Sequence, residues 1–125
     1  MKPIAMMSRA RFVRHKDKML LQMDFSDLDI DDARQVCAYV KGVISRMPKK
    51  SVLTLVNVTN VQYDEAFRAL SDDLAEHNKP YVQAGAVIGV EGWKRLLFWA
   101  TTKLTGRDNL RLFADAEKAK EWLVS

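Results

Sequence analysis

The sequence predicts an α/β fold: a single mixed, mainly parallel sheet of about five strands in the order β-β-α-β-α-β-α-β-α. Three observations predict it. Met19, Leu21, Met23 and Phe25 alternate with Leu20, Gln22 and Asp24, the period of two that a half-buried strand requires. Ala33, Val36, Cys37, Val40, Val43, Ile44 and Met47 recur at spacings of three and four, which turns one helix face toward a core. Ser51 to Asn57 runs on through Val58 and Thr59 almost without a charge, as a central strand covered on both faces does.

The elements follow in order. Arg9–His15 is a short charged strand suited to a sheet edge, and a hairpin at Lys16-Asp17-Lys18 joins it to Met19–Phe25. Asp29 reads as the N-cap of a helix reaching about Met47, with Asp31 and Asp32 at its positive end; Pro48 stops it. The acids from Asp24 to Asp32 superficially resemble a calcium loop. They lack its central glycine and terminal glutamate, so capping is the preferred reading. After the central strand, a turn at Asn60–Tyr63 leads into a helix beginning near Asp64, with Phe67, Leu70, Leu74 and His77 on its inner face. Asn78-Lys79-Pro80 ends it, and His77 reads as a cap of its last turn.

Tyr81–Val90 is the next strand, in which Gly85 and Gly89 leave one face open to close approach. These glycines, with Gly92, do not make a dinucleotide fingerprint, because two of them fall inside the strand. A strongly apolar helix is expected from Gly92 to Leu104, closed by Gly106. A last strand over Asn109–Ala114 and a helix capped by Asp115, with Ala116, Ala119, Trp122 and Leu123 inward, complete the chain. The whole of residues 1–125 reads as one domain, with parallel neighbours joined by right-handed crossovers.

Composition excludes several classes. A chain that is 48% hydrophobic and 29% charged is neither disordered nor membrane-spanning, and its apolar runs fall short of a bilayer span. Cys37 is the one cysteine, sits on a core face, and fits a reducing, cytoplasmic setting. Residues 1–18 carry six Lys or Arg against one Asp, and residues 92–114 five against one, flanking an acidic middle. No readout motif accompanies that charge, so nucleic acid is not an expected partner. His15, His77 and Cys37 lie on separate elements, and no nucleophile, base or metal set assembles by spacing. The expectation is a non-enzyme with no cofactor and no metal.

This element order, the strand-turn-helix at Val52–Leu74 and the run GAVIGVEGWKRLLFWATTKLTGRDNLRLFADAEKAKEWL resemble the STAS-like family. These are small relatives of bacterial anti-sigma-factor antagonists, grouped with CRAL-TRIO-type lipid-binding domains. In antagonist members, the loop after the central strand carries an aspartate and then a phosphorylatable serine at the start of the next helix. The matching stretch is Asn57–Ala66: Asp64 keeps the aspartate, but Glu65 and Ala66 stand where the serines would be. The resemblance therefore implies a regulatory module without the usual phosphorylation switch. Thr59, the nearest hydroxyl, reads as a turn residue rather than an acceptor. Glu65 either supplies a fixed negative charge at the helix start or simply complements its dipole.

Two surfaces come out of this reading. Thr59, Asn60, Asp64 and Glu65 form the loop equivalent to the phosphorylation site, where a partner protein or a second copy of the chain would dock. On the expected 92–104 helix, Phe98 and Trp99 fall about 140° and 120° to either side of the apolar stripe, with Arg95, Thr102 and Lys103 nearby. Those rings are either core or the contact for a partner, a lipid-like or other apolar ligand, or a membrane surface. Regulation through protein contacts is preferred, with the apolar ligand as the alternative.

Overall fold

A computed structural model describes residues 8–91 and 109–125. The expected helix at 92–104, with Arg95, Phe98, Trp99, Thr102 and Lys103, lies outside them. Five strands form one sheet: β1 (Ala10–His15), β2 (Lys18–Asp24), β3 (Val52–Asn57), β4 (Val82–Ile88) and β5 (Leu110–Phe113). They lie side by side in chain order, β1-β2-β3-β4-β5. β1 pairs antiparallel with β2, and every later pair is parallel. The mixed, mainly parallel α/β sheet expected from the sequence is the one observed.

Three helices among the described residues accompany it: α1 (Ile30–Ile44), α2 (Glu65–Asn78) and α3 (Ala116–Val124). Each begins at an aspartate whose carboxylate accepts backbone N–H groups of the first turn: Asp29 from Asp32, Asp64 from Phe67, Asp115 from Glu117 and Lys118. An exposed N-terminus left without such an acceptor costs about 1 kcal/mol. α1 ends at Ile44 rather than Met47, because Ser45, Arg46 and Met47 turn their N–H groups back onto Lys41, Val43 and Ile44.

The sheet has an apolar layer on each face. Leu21, Met23, Val52 and Val82 join Val36, Val40 and Ile44 of α1 and Phe67 and Leu74 of α2 in one cluster. Leu20, Leu53, Leu55 and Ala86 meet Ala119 and Leu123 of α3 in the other. Each fully buried aliphatic side chain stabilises the fold by roughly 1.5–3 kcal/mol. Cys37 is part of the first cluster, and burial pushes its thiol up to about 12, so it stays protonated and inert. Gly85 lets neighbours approach closely on that face: a Cβ there would lie 2.6 Å from Leu110 Cδ2 and 2.7 Å from Thr54 Oγ1, side-chain ends that would have to turn aside.

Candidate partner-docking site

The carboxyl ends of β2, β3 and β4 come side by side, with Asp24 opposite Asn57 and Asn57 opposite Ile88. In open α/β sheets ligands are met outside the carboxyl ends of the strands. Two strands leave it in the same way. Asp24-Phe25-Ser26-Asp27 and Asn57-Val58-Thr59-Asn60 share a pattern of an Asx residue, an apolar residue, a hydroxyl and a second Asx residue. In the first, Asp24 Oδ1 accepts from the Ser26 backbone N–H at 3.0 Å and its hydroxyl at 2.6 Å. In the second, Asn57 Oδ1 accepts from the Thr59 N–H at 3.0 Å and its hydroxyl at 2.6 Å. Each turn closes on a left-handed residue, Asp27 (φ 61°) and Asn60 (φ 58°), a conformation that Asx side chains tolerate better than most.

The two turns are bonded to each other. Phe25 N–H donates to the Asn57 carbonyl at 2.8 Å, Asp27 N–H to the Thr59 carbonyl at 3.1 Å, and Asn60 Nδ2 to Asp27 Oδ1 at 3.1 Å. Arg9 pins the first turn from outside, donating to the Ser26 carbonyl at 2.7 Å and pairing with Asp24 at 3.7 Å. Gly89 closes over the second. Its φ is +90°, and a Cβ there would fall 2.6 Å from Thr59 N and 2.9 Å from Thr59 Cα. Gly89 thus lies just past β4 rather than within a strand running to Val90: its φ ends the ladder at Ile88, whose carbonyl accepts from Val58 N–H. Likewise β3 stops at Asn57, because that side chain takes the Thr59 N–H that pairing would use.

The structure brings Thr59, Asn60, Asp64 and Glu65 to this edge. Asn60, Asp64 and Glu65 are exposed, and Thr59 is half-buried beneath Gly89. Asp64 accepts from Phe67 N–H at 2.9 Å as the cap of α2, and Glu65 is the first helical residue. Of the other sequence candidates, His77 ends α2 beside Asn78, its Nδ1 2.9 Å from Asn78 Oδ1, and stacks on Tyr81. His15 stands at the hairpin end of β1, its Nε2 2.7 Å from Glu121 Oε2. The acids once compared with a calcium loop are occupied in turns and caps: Asp24 with Ser26, Asp27 with Asn60, Asp29 with Asp32.

Behind the platform lies a cavity of about 160 Å³. Val58, Val61 and Tyr63 of the second turn line it together with Phe67 and Leu74 of α2 and Val87 of β4. The sequence reading missed this cavity, the role of Gly89 and the Arg9 clasp.

The model of one protein family, described as SpoIIAA-like, matches residues 22–124, from the middle of β2 to the end of α3. The chain belongs to the SpoIIAA-like family. The STAS-like resemblance of the sequence and the α/β fold it implied hold together in this result. Comparison with curated proteins and with solved structures returned no match. In this SpoIIAA-like chain no helix among the described residues is long and apolar enough to cross a membrane.

Proposed function

We propose that this SpoIIAA-like chain is a non-enzymatic regulatory module that docks a partner protein through the platform at Asp27, Asn60, Asp64 and Glu65, in a fixed rather than a phosphorylation-switched state. The observation that carries the proposal is the condition of Thr59. Its hydroxyl donates to Asn57 at 2.6 Å and its backbone lies in contact with Gly89. A phosphoryl group on that oxygen would break the turn and collide with the segment above it. Glu65 and Ala66 offer no hydroxyl in its place. Glu65, in the first turn of α2, supplies a permanent negative charge at a helix end that favours one. The turns beneath are cross-bonded, so a partner meets a surface that needs no ordering on association.

The test uses the purified protein as bait. Wild type and the double variant Asn60→Arg/Glu65→Arg are compared for bound cellular proteins, with circular dichroism reporting the fold of each. A protein recovered by wild type and lost by the variant is the expected result; identical recoveries from two folded baits would reject the platform. Peptide mass mapping of the protein from its native host should find no phosphate on Thr59, and a phosphorylated Thr59 would overturn the fixed-state reading.

The cavity favours a second reading, in which the module also holds a small apolar ligand. Its lining is dominated by aliphatic and aromatic groups, and a cavity of about 150 Å³ with such a lining is known to take up benzene. Native mass spectrometry of wild type and of Ser71→Leu, which fills the α2 side of the cavity, separates the readings. A ligand mass present only in wild type supports it, and no bound mass in either counts against it.

A further inference from the structure

The opposite edge of the sheet has a different character. There the amino ends of β2, β3 and β4 meet the β1–β2 hairpin and the turn after α1. A groove of about 220 Å³ at this edge is lined by Phe12, Met19, Met47, Val52 and Leu53, with Lys18 and Ser51 also on its wall. Met19 is 46% exposed and is the one large hydrophobic residue among those described that stands out into solvent. Cations surround the groove. Lys18 lines it, Arg14 is the cross-strand neighbour of Met19, and Arg46, Lys49 and Lys50 belong to the turn whose Met47 and Ser51 form its wall. All five are exposed and none forms an ion pair among the described residues.

Lys16 of the same hairpin is paired with Glu121, and Arg11, Lys118 and Lys120 away from this edge also form no ion pair among the described residues. What sets the five cations of this edge apart is that they stand together around one groove. Elsewhere Arg9 pairs with Asp24, Arg34 with Asp31, Lys41 with Asp73 and Arg68 with Asp72. The negative end of the α1 dipole accounts for a cation at Arg46 but not for Lys18, Lys49 or Lys50, which lie on a strand and a loop. An exposed thioether beside a recess, flanked by five cations without ion-pair partners against the single exposed acid of the hairpin, Asp17, is the surface a complementary partner neutralises.

We propose that this basic groove is a second docking surface, which takes an extended acidic segment of a partner protein and seats one large apolar side chain of that segment against Met19 and Met47. Charge complementarity selects the acidic flanks, and the groove selects the anchor. A peptide fits better than a bilayer, since the apolar walls are recessed between the hairpin and the 45–51 turn. It fits better than nucleic acid, whose binding draws on exposed aromatic platforms for stacking, whereas Phe12 is half-buried. The surface is separate from the platform at Asn60 and stands or falls without it.

The experiment titrates the ¹⁵N-labelled protein with the peptide Glu-Glu-Phe-Glu-Glu, blocked at both ends, and follows amide shifts. Expected are shifts at Met19, Met47 and Lys49–Ser51 and none at Asn60–Glu65. Replacing the peptide's Phe by Ala weakens binding by roughly tenfold or more, the effect of leaving a large side chain unburied. Lys49→Glu/Lys50→Glu weakens it by about tenfold, and raising salt weakens it further. Met19→Ser, at an exposed position that leaves the core alone, removes the preference for Phe over Ala. Three outcomes overturn the proposal: no shifts at this edge, equal binding by Lys-Lys-Phe-Lys-Lys, or tighter binding of anionic vesicles or single-stranded DNA than of the acidic peptide.

Discussion

The two ends of the parallel strands differ in what their side chains are bonded to. At the carboxyl end, Asp24, Ser26, Asp27, Asn57, Thr59 and Asn60 are satisfied by one another and by the backbone, with Arg9 and Gly89 closing the arrangement from either side. At the amino end, the side chains of Arg14, Lys18, Arg46, Lys49 and Lys50 form no ion pair among the described residues. Polar groups with internal partners hold a shape, and polar groups without them are available to something else. The comparison yields a rule that mutation can break: substitutions that disturb the packing beneath the turns, as at Gly89, should register as stability, and substitutions of the exposed cations at the second end as binding.

The largest effect belongs to Gly89→Ala. The new Cβ would meet the Thr59 backbone at 2.6 Å, in a conformation with φ of +90° that L-residues rarely adopt. Because the obstacle is backbone, no side-chain rotation relieves it. Urea denaturation should show a loss of roughly 3 kcal/mol, the sum of local strain and displacement of the turn. A loss below about 0.5 kcal/mol, the range of an indifferent surface change, would mean that the two segments are not held together as described.

Much of this was readable in the sequence, and the part that was not has a common cause. Asp29, Asp64 and Asp115 were legible as helix starts because capping is local: the acceptor and the N–H it satisfies are two or three residues apart. The alternation in Met19–Phe25 was legible for the same reason. The docking platform depends instead on pairs such as Asn60 with Asp27 and Gly89 with Thr59, whose separation in the chain is fixed only by the sheet. One signal was present all the same. The motif Asp-Phe-Ser-Asp recurs as Asn-Val-Thr-Asn after the next parallel strand, and two like turns on adjacent strands are placed to bond. Charge was misleading when read along the chain, because the acidic block at 19–91 contains Arg46, Lys49 and Lys50, which the fold delivers to the basic edge.

A smaller effect sharpens the comparison from within the hairpin. Lys16 Nζ donates to Glu121 Oε1 at 2.6 Å and His15 Nε2 lies 2.7 Å from Oε2, fastening the hairpin to α3. The Lys16 bond, with that of His15, holds the Glu121 carboxyl below its ordinary value of 4.5. A carboxyl depressed in the folded state adds stability that is present above its unfolded value and lost as pH falls through the folded one. The melting temperature of wild type should therefore exceed that of Glu121→Gln at neutral pH, with the gap closing on the acid side of about pH 4. A gap unchanged down to pH 3 would show that the carboxylate's charge is not what fastens the helix.

The smallest effect is the one the comparison needs most. Lys49→Ala/Lys50→Ala removes two charges that have no partner within the described residues, so unfolding free energy should stay within about 0.5 kcal/mol of wild type. Its sign is informative. If these lysines only repel Lys18 and Arg46, the variant gains slightly at low salt, and the gain fades as salt screens the repulsion. If the variant instead loses as much as Gly89→Ala, the lysines are part of the scaffold, and the amino end of the sheet is no freer than the carboxyl end. An unchanged or slightly higher stability, with weaker capture of the acidic peptide, is the combination that a surface kept for binding produces.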